Sequence, residues 1–161
     1  MKRAGVDVGN PFMFDPFTLF GLKKQYDLDM ELLEEAYFAA QKKTHPDQFS
    51  KSSSEEKAEA SKRSADINRA YLILKDPLKR AEFLLRETNK DLFSHDPLFL
   101  EEVMQWKEQA AAKEDIRDDL LSTQKTLFNT LETSFKQKEY EEAERALYQL
   151  TYVHKFLKEI W

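Results

Sequence analysis

Helix-breaking residues are scarce in this chain, and they occur mainly where the apolar pattern changes. Its 161 residues include three glycines, five prolines and no cysteine. Between the breaks, apolar side chains recur every three or four positions, the spacing that places them on one face of an α-helix. Because glycine and proline interrupt helices, their scarcity favours long helical segments. The sequence therefore predicts an all-α protein.

The first half begins with signals for two helices. Asp15 followed by proline predicts a short helix that Gly21 closes. Asp29 can cap a second helix. This helix should end near Thr44, since the next residue precedes a proline and is pushed out of the α conformation. Its predicted apolar face consists of Leu32, Leu33, Ala36, Tyr37 and Ala40.

Two further helices are predicted before residue 88. Ser52 with Glu55, or Ser53 with Glu56, can form a capping box for the third helix. Pro77 ends that helix and starts a short fourth one. The predicted apolar residues are Ala60, Ser64, Ile67, Tyr71 and Leu74 on the third helix, and Phe83 and Leu84 on the fourth.

The second half predicts a separate helical domain. Residues 88–95 form a turn-rich linker, and Asp96 with Pro97 opens the next helix. Two more amphipathic helices follow, and three one-sided helices must bury their apolar faces together in a bundle. The predicted domains are an extension over 1–13, a first domain over 14–87, the linker 88–95 and a bundle over 96–161. The stripes of the last two helices are Ile116, Leu120, Leu127, Leu131 and Phe135, then Tyr140, Ala143, Leu147, Leu150, Leu157 and Ile160.

Charge and composition exclude several classes of function. The net charge is −5, yet residues 42–86 hold eleven basic and seven acidic residues, a net charge of +4. This profile argues against general nucleic-acid binding and favours a basic patch that meets an acidic protein. The absence of cysteine removes disulfides and thiolate metal sites. No signal peptide or membrane span is evident, so a cytoplasmic protein is expected.

The segment KKTHPDQF places His45, Pro46 and Asp47 between two predicted helices. As a catalytic pair, His45 and Asp47 would lack a nucleophile and a pocket. A metal site is disfavoured because the other histidines, His95 and His154, lie far from His45 in sequence, and no two histidines have the close spacing of metal ligands. Two interpretations remain, an ordinary turn or a docking corner. We predict no catalytic residue and no metal ligand.

The surroundings of this corner favour docking. Lys42 and Lys43 precede it, and further basic residues on the third helix follow it. The corner would thus present one carboxylate beside a basic surface, which suits an acidic partner with a central arginine. The basic residues of the third helix are Lys62, Arg63 and Arg69.

The motifs together resemble a known family. HPD between two helices, preceded by FTLFGL and followed by ADINRAY and DPLKRAEFLL, resembles a J domain, the module that docks on DnaK-like chaperones. With the acidic helical second half, the chain is similar to HscB, the J-domain co-chaperone of iron–sulfur cluster assembly, from about Phe14 to Trp161. The resemblance implies an L-shaped all-α molecule.

The resemblance implies that His45, Pro46 and Asp47 dock on an HscA-type chaperone and stimulate its ATPase, with Lys42 and Lys43 assisting. Proline lowers the entropy cost of presenting the aspartate. Two features depart from the family. Glutamine follows HPD where lysine is usual, and the second helix begins with several glutamates. These departures favour a specialised chaperone over a promiscuous one.

The resemblance also implies a second site, for the scaffold protein IscU, on the bundle. Its expected residues are Leu100, Met104 and Glu108 of the first bundle helix and Tyr152 of the last. Leu100 and Met104 share a helical face, although such a pair is more often core than interface. In the family, an apolar residue is common at the position of Glu101.

The complete expectation is a monomeric, non-enzymatic co-chaperone without a cofactor that binds an HscA-type chaperone and an IscU-type scaffold. It would bind neither nucleic acid nor membrane. One alternative is a J-domain protein that serves a general DnaK-type chaperone and another client. A small hydrolase that uses His45 and Asp47, or a structural adaptor that tolerates loss of His45, has less support.

Overall fold

The computed structural model describes residues 14–88, 97–112 and 115–159, and these residues form seven α-helices and one 3-10 turn. The all-α prediction is confirmed. The chain divides into two compact units, Met1–Leu84 and Leu85–Trp161. The helices are α1 (Pro16–Leu19), α2 (Met30–Thr44), α3 (Ser54–Lys75), α4 (Pro77–Thr88), α5 (Pro97–Ala111), α6 (Arg117–Lys136) and α7 (Tyr140–Glu159), and the 3-10 turn is Pro46–Phe49.

Short side chains determine where the first helices begin. The Asp15 carboxylate accepts the N–H of Phe17 at 2.9 Å, and the Asp29 carboxylate accepts that of Glu31 at 2.9 Å. At α3 the hydroxyl of Ser53 accepts the N–H of Glu56 at 3.2 Å, so the second of the two predicted capping pairs is used. Each cap satisfies backbone donors that the first helical turn leaves unpaired.

In the described part of the first unit, an apolar core lies between α1, α2, α3 and α4. Phe17 and Phe83 pack with their ring centroids 5.9 Å apart. Gly21, with φ of +64°, closes α1 as predicted and lets the chain turn towards α2. The core residues are Phe17, Leu33, Ile73, Leu74 and Phe83.

The predicted apolar face of α2 is partly wrong. Leu33 is fully buried, whereas Leu32 is 51% exposed. These neighbours point about 100° apart on the helix, and the core lies only on the Leu33 side.

The predicted apolar stripe of α7 is also partly wrong. Tyr140, at the start of α7, is 40% exposed and does not belong to the buried stripe.

The second unit is the predicted three-helix bundle. α6 and α7 form a hairpin, and α5 packs against α7 through Trp106 and Phe156, whose ring centroids are 6.3 Å apart. The core around this contact consists of Ile116, Leu120, Val153, Phe156 and Leu157. Several predicted features lie outside the described residues. They are the extension 1–13, most of the linker 88–95, the cap Asp96 and the apolar residue Ile160.

Candidate functional site

The HPD corner lies between the end of α2 and the start of α3. His45 ends α2 in an extended conformation, with φ of −61° and ψ of 136°, because Pro46 follows it. Pro46 then begins the 3-10 turn. Since α2 and α3 pack together along the hairpin, the corner projects from two supported helix ends.

Asp47 is presented almost entirely to solvent. Its side chain is 92% exposed, and that of His45 is 60% exposed. His45 Nδ1 accepts the backbone N–H of Asp47 at 3.2 Å and lies 3.5 Å from its Oδ2. The imidazole therefore fixes the backbone that carries the carboxylate, and leaves the carboxylate accessible to a partner cation.

The surroundings of the corner do not favour nucleophilic catalysis. Thr44 is the hydroxyl residue closest in sequence to His45, and it is buried. Its Oγ1 donates to the carbonyls of Ala40 and Gln41 at 3.3 and 3.4 Å. This hydroxyl completes the last turn of α2, so it does not point towards the imidazole as a nucleophile would.

Gln48 has a role that the sequence did not indicate. Its side-chain amide donates to the backbone carbonyl of Lys42, and its backbone N–H donates to the carbonyl of His45 at 3.0 Å. Both bonds satisfy carbonyls at the end of α2. Gln48 thus holds the turn against the helix. Lys42 and Lys43 are exposed beside it.

A polar and aromatic network supports the hairpin behind the corner. The Tyr37 hydroxyl donates to Asn68 Oδ1 at 2.8 Å, and the Gln41 amide donates to the same oxygen. Tyr37 stacks on Tyr71, with ring centroids 4.2 Å apart. The Tyr71 hydroxyl donates to Glu34, and this hydrogen bond raises the pKa of Tyr71. Sequence patterns gave no signal for this network, because it depends on the register between two helices.

The predicted scaffold-binding residues lie on α5 and α7. Leu100, Met104 and Glu108 follow one another at intervals of four and share one stripe of α5. Met104 is 62% exposed, Leu100 is half-buried and Glu108 is exposed. Tyr152 is half-buried on α7, and its ring packs edge-to-face on Tyr148 at 5.1 Å.

Within the part of the chain that the structure describes, no three histidine, cysteine or acidic side chains are grouped so that they could hold a metal ion. His45 and His154 are exposed, and His95 lies outside the described residues. Across residues 14–88, 97–112 and 115–159, no helix is both long and apolar enough to cross a membrane.

Comparisons with known proteins match both units. The model of the DnaJ domain matches residues 15–83, and that of the HSCB C-terminal oligomerisation domain matches residues 95–161. A co-chaperone protein HscB homolog from Mannheimia succiniciproducens is 31% identical over 163 residues, which cover 92% of this chain and 94% of the relative. One from Neisseria meningitidis is 33% identical over 158 residues, 89% of this chain and 95% of the relative.

Two solved structures are also similar. Chaperone HscB from Vibrio cholerae has a TM-score of 0.76 and 32% identity, with 91% of this chain and 95% of that chain covered. Human co-chaperone protein HscB has a TM-score of 0.80 and 28% identity, with 94% of this chain and 83% of that chain covered.

Proposed function

Since this chain belongs to the HscB family of J-domain co-chaperones, we propose that it stimulates the ATPase of a specialised, HscA-type chaperone and delivers an IscU-type iron–sulfur scaffold protein to it. The J domain implies a DnaK-type partner. The observation that carries the proposal is the exposed HPD corner on a chain that also holds the HscB-type bundle. In this proposal the chain performs no chemistry itself.

The chaperone binds at the corner through one carboxylate and two lysines. Asp47 pairs with an arginine of the chaperone, and Pro46 and the His45 ring limit the conformations of the segment that carries it. Lys42 and Lys43 add attraction to an acidic surface, which raises the rate of encounter. Truncation of a buried interfacial charge pair typically costs about 2 to 5 kcal/mol.

The scaffold binds on the bundle at the stripe of Leu100, Met104 and Glu108, with Tyr152 adding an aromatic contact. Met104 is 62% exposed and shares its stripe with the half-buried Leu100, and a contiguous apolar surface of this kind supports an interaction site. Glu101 is exposed next to Leu100. Its carboxylate favours a scaffold that offers a polar or basic group there.

Two sites on one chain raise the effective concentration of scaffold beside chaperone. We place this delivery in the cytoplasm and assign it to a monomer. Sedimentation of the full chain tests the oligomeric state: a species of 19.0 kDa supports the monomer, and a dimer mass contradicts it. The alternative of a general DnaK-type chaperone with another client predicts ATPase stimulation without scaffold binding.

Docking on the chaperone is tested by the steady-state rate of ATP hydrolysis by the HscA-type chaperone, measured with the wild-type chain and with the His45→Gln variant. The matched control is His154→Gln, the same change at an exposed histidine of the bundle. Loss of stimulation in His45→Gln alone supports docking at the corner. Equal stimulation by all three chains contradicts it.

Binding of the scaffold is tested by calorimetric titration of an IscU-type scaffold protein into a solution of this chain. Met104→Ala should weaken binding by about tenfold, the effect expected for an apolar anchor. Leu121→Ala removes a 40% exposed leucine from α6 and serves as the control. Equal affinities of the two variants would contradict the assigned stripe.

A further inference from the structure

The outward face of α2 carries an exposed aromatic ring that the first unit does not bury. Phe38 is 64% exposed, the largest fraction among the exposed large hydrophobic residues of the described chain. Its neighbour Tyr37 stacks on Tyr71 of α3, whereas the Phe38 ring lies 5.9 Å from the Tyr37 ring on the solvent side. Folding therefore gains little from a phenylalanine at this position.

Phe38 is aligned with the HPD corner. Residues 38, 42 and 45 have helical spacings of four and three, so Phe38, Lys42 and the C-cap residue His45 lie on one side of α2, and Asp47 follows in the adjoining 3-10 turn. This helix rests on a firm base, because Tyr37 and Gln41 are hydrogen-bonded to Asn68. The backbone of α2 that carries Phe38 is therefore held against α3, and binding does not have to order it.

We propose that Phe38 is an apolar anchor of the chaperone-docking surface and determines which DnaK-type chaperone the chain serves. This inference rests on the proposed docking at the corner, and it extends that site by about one helical turn beyond Lys42. The partner it fits presents an acidic group opposite Lys42 and, one turn further, an apolar recess that takes a phenyl ring. The occupant is the chaperone because the ring is continuous with the surface that carries His45 and Asp47.

The charges of α2 limit the docking surface at the other end. Glu31 and Glu35 are exposed beyond Phe38, and they would repel an acidic partner surface that extended further along the helix. The basic part of α2 is therefore short, and only Lys42 and Lys43 contribute to it. An aromatic contact compensates for the few charges, since aromatic anchors dominate many interfaces. A chaperone that depends on acidic groups alone would gain nothing from Phe38.

The test is a titration of the HscA-type chaperone with the full chain, followed by ATP hydrolysis, for wild type, Phe38→Ala and Leu32→Ala. Leu32 is the matched control because it is 51% exposed on the same helix. It lies about a third of a turn around from Phe38 and further from the corner. Melting curves of all three chains check that each substitution leaves the fold intact.

We expect Phe38→Ala to raise the concentration for half-maximal stimulation about tenfold, with the maximal rate unchanged, and Leu32→Ala to match wild type. The loss should persist at high salt, unlike that of Lys42→Ala, because an apolar contact is not screened. With a general DnaK-type chaperone, Phe38→Ala should cause less than a twofold change.

Three outcomes overturn the inference. Equal half-maximal concentrations for wild type and Phe38→Ala, with wild type stimulating normally, reject the anchor and leave the proposed function intact. Equal losses in Phe38→Ala and Leu32→Ala reject a specific contact. If wild type gives no stimulation and no binding, both the proposed function and the anchor fail.

Discussion

Leu33 and Leu32 are neighbours on α2 with opposite environments, and their replacement by alanine tests the fold that presents the corner. Leu33 is fully buried against the core of the first unit, and Leu32 is 51% exposed. A buried leucine-to-alanine change removes apolar contacts and leaves a cavity. We expect Leu33→Ala to destabilise the first unit by about 3 kcal/mol and Leu32→Ala to change its stability by less than about 0.5 kcal/mol.

The size of this loss is large for a small unit. A unit of roughly 70 residues has a free energy of unfolding of about 4 to 10 kcal/mol, so Leu33→Ala should remove about 30% or more of it. The second unit does not contain Leu33. Its stability should therefore remain close to that of wild type.

The tryptophans make the two units distinguishable in one urea titration. Both tryptophans, Trp106 and Trp161, belong to the second unit. Tryptophan fluorescence thus follows that unit, whereas helical circular dichroism follows both. In Leu33→Ala the dichroism should gain an early transition while the fluorescence midpoint stays unchanged. Equal effects of the two leucine variants would refute the assignment of Leu33 to the core of the first unit, and a parallel shift of the fluorescence midpoint would refute the independent unfolding of the two units.

Three further predictions concern the first unit. Burial raises the pKa of Asp15, but the hydrogen bond from Lys24 and the N-cap bonds outweigh it and lower the value below 3.8. The stabilisation from Asp15 should be present above its unfolded pKa and lost as pH falls through the lowered value. Urea midpoints of wild type and Asp15→Asn should therefore differ at pH 7, and the difference should shrink as pH falls through the lowered pKa. Asp29→Ala removes the cap of α2 and should cost about 1 kcal/mol; Asp29→Ser should restore most of it, and unchanged midpoints in both would contradict the cap. Gln48→Ala removes the bond to the Lys42 carbonyl and should cost less than about 1 kcal/mol, while hydrogen exchange of the corner amides accelerates. Unchanged exchange would show that Gln48 does not hold the turn.

Helix starts could be predicted from the sequence because they depend on local bonds. Asp15, Asp29 and Ser53 each cap the helix that follows them, and the bond joins residues two or three apart. Proline fixes the end of α2 through the residue before it. Such signals need no knowledge of the tertiary fold.

The side of a helix that is buried was harder to predict. Helical spacing marks an apolar arc, but the packing of neighbouring helices decides which edge of that arc is covered. Leu32 lies at the uncovered edge of α2, and Tyr140 lies at the first position of α7. Both look apolar in sequence and are exposed in the structure.

The side-chain contacts at the corner also depend on tertiary geometry. Gln48 reaches back six residues to the Lys42 carbonyl, and Tyr37 reaches Asn68 on the other helix. The sequence identified His45, Pro46 and Asp47 as a unit, but neither the exposure of Phe38 beside them nor the bonds that support them follow from periodicity. These features require the turn and the register of α2 against α3.

Single-turnover ATP hydrolysis by the HscA-type chaperone, with this chain and an IscU-type scaffold added separately and together, tests the account most directly. We predict that the chain stimulates hydrolysis, that the scaffold increases this stimulation further, and that His45→Gln abolishes both effects. Stimulation that is indifferent to the scaffold would contradict delivery, and stimulation that survives His45→Gln would contradict docking through the HPD corner.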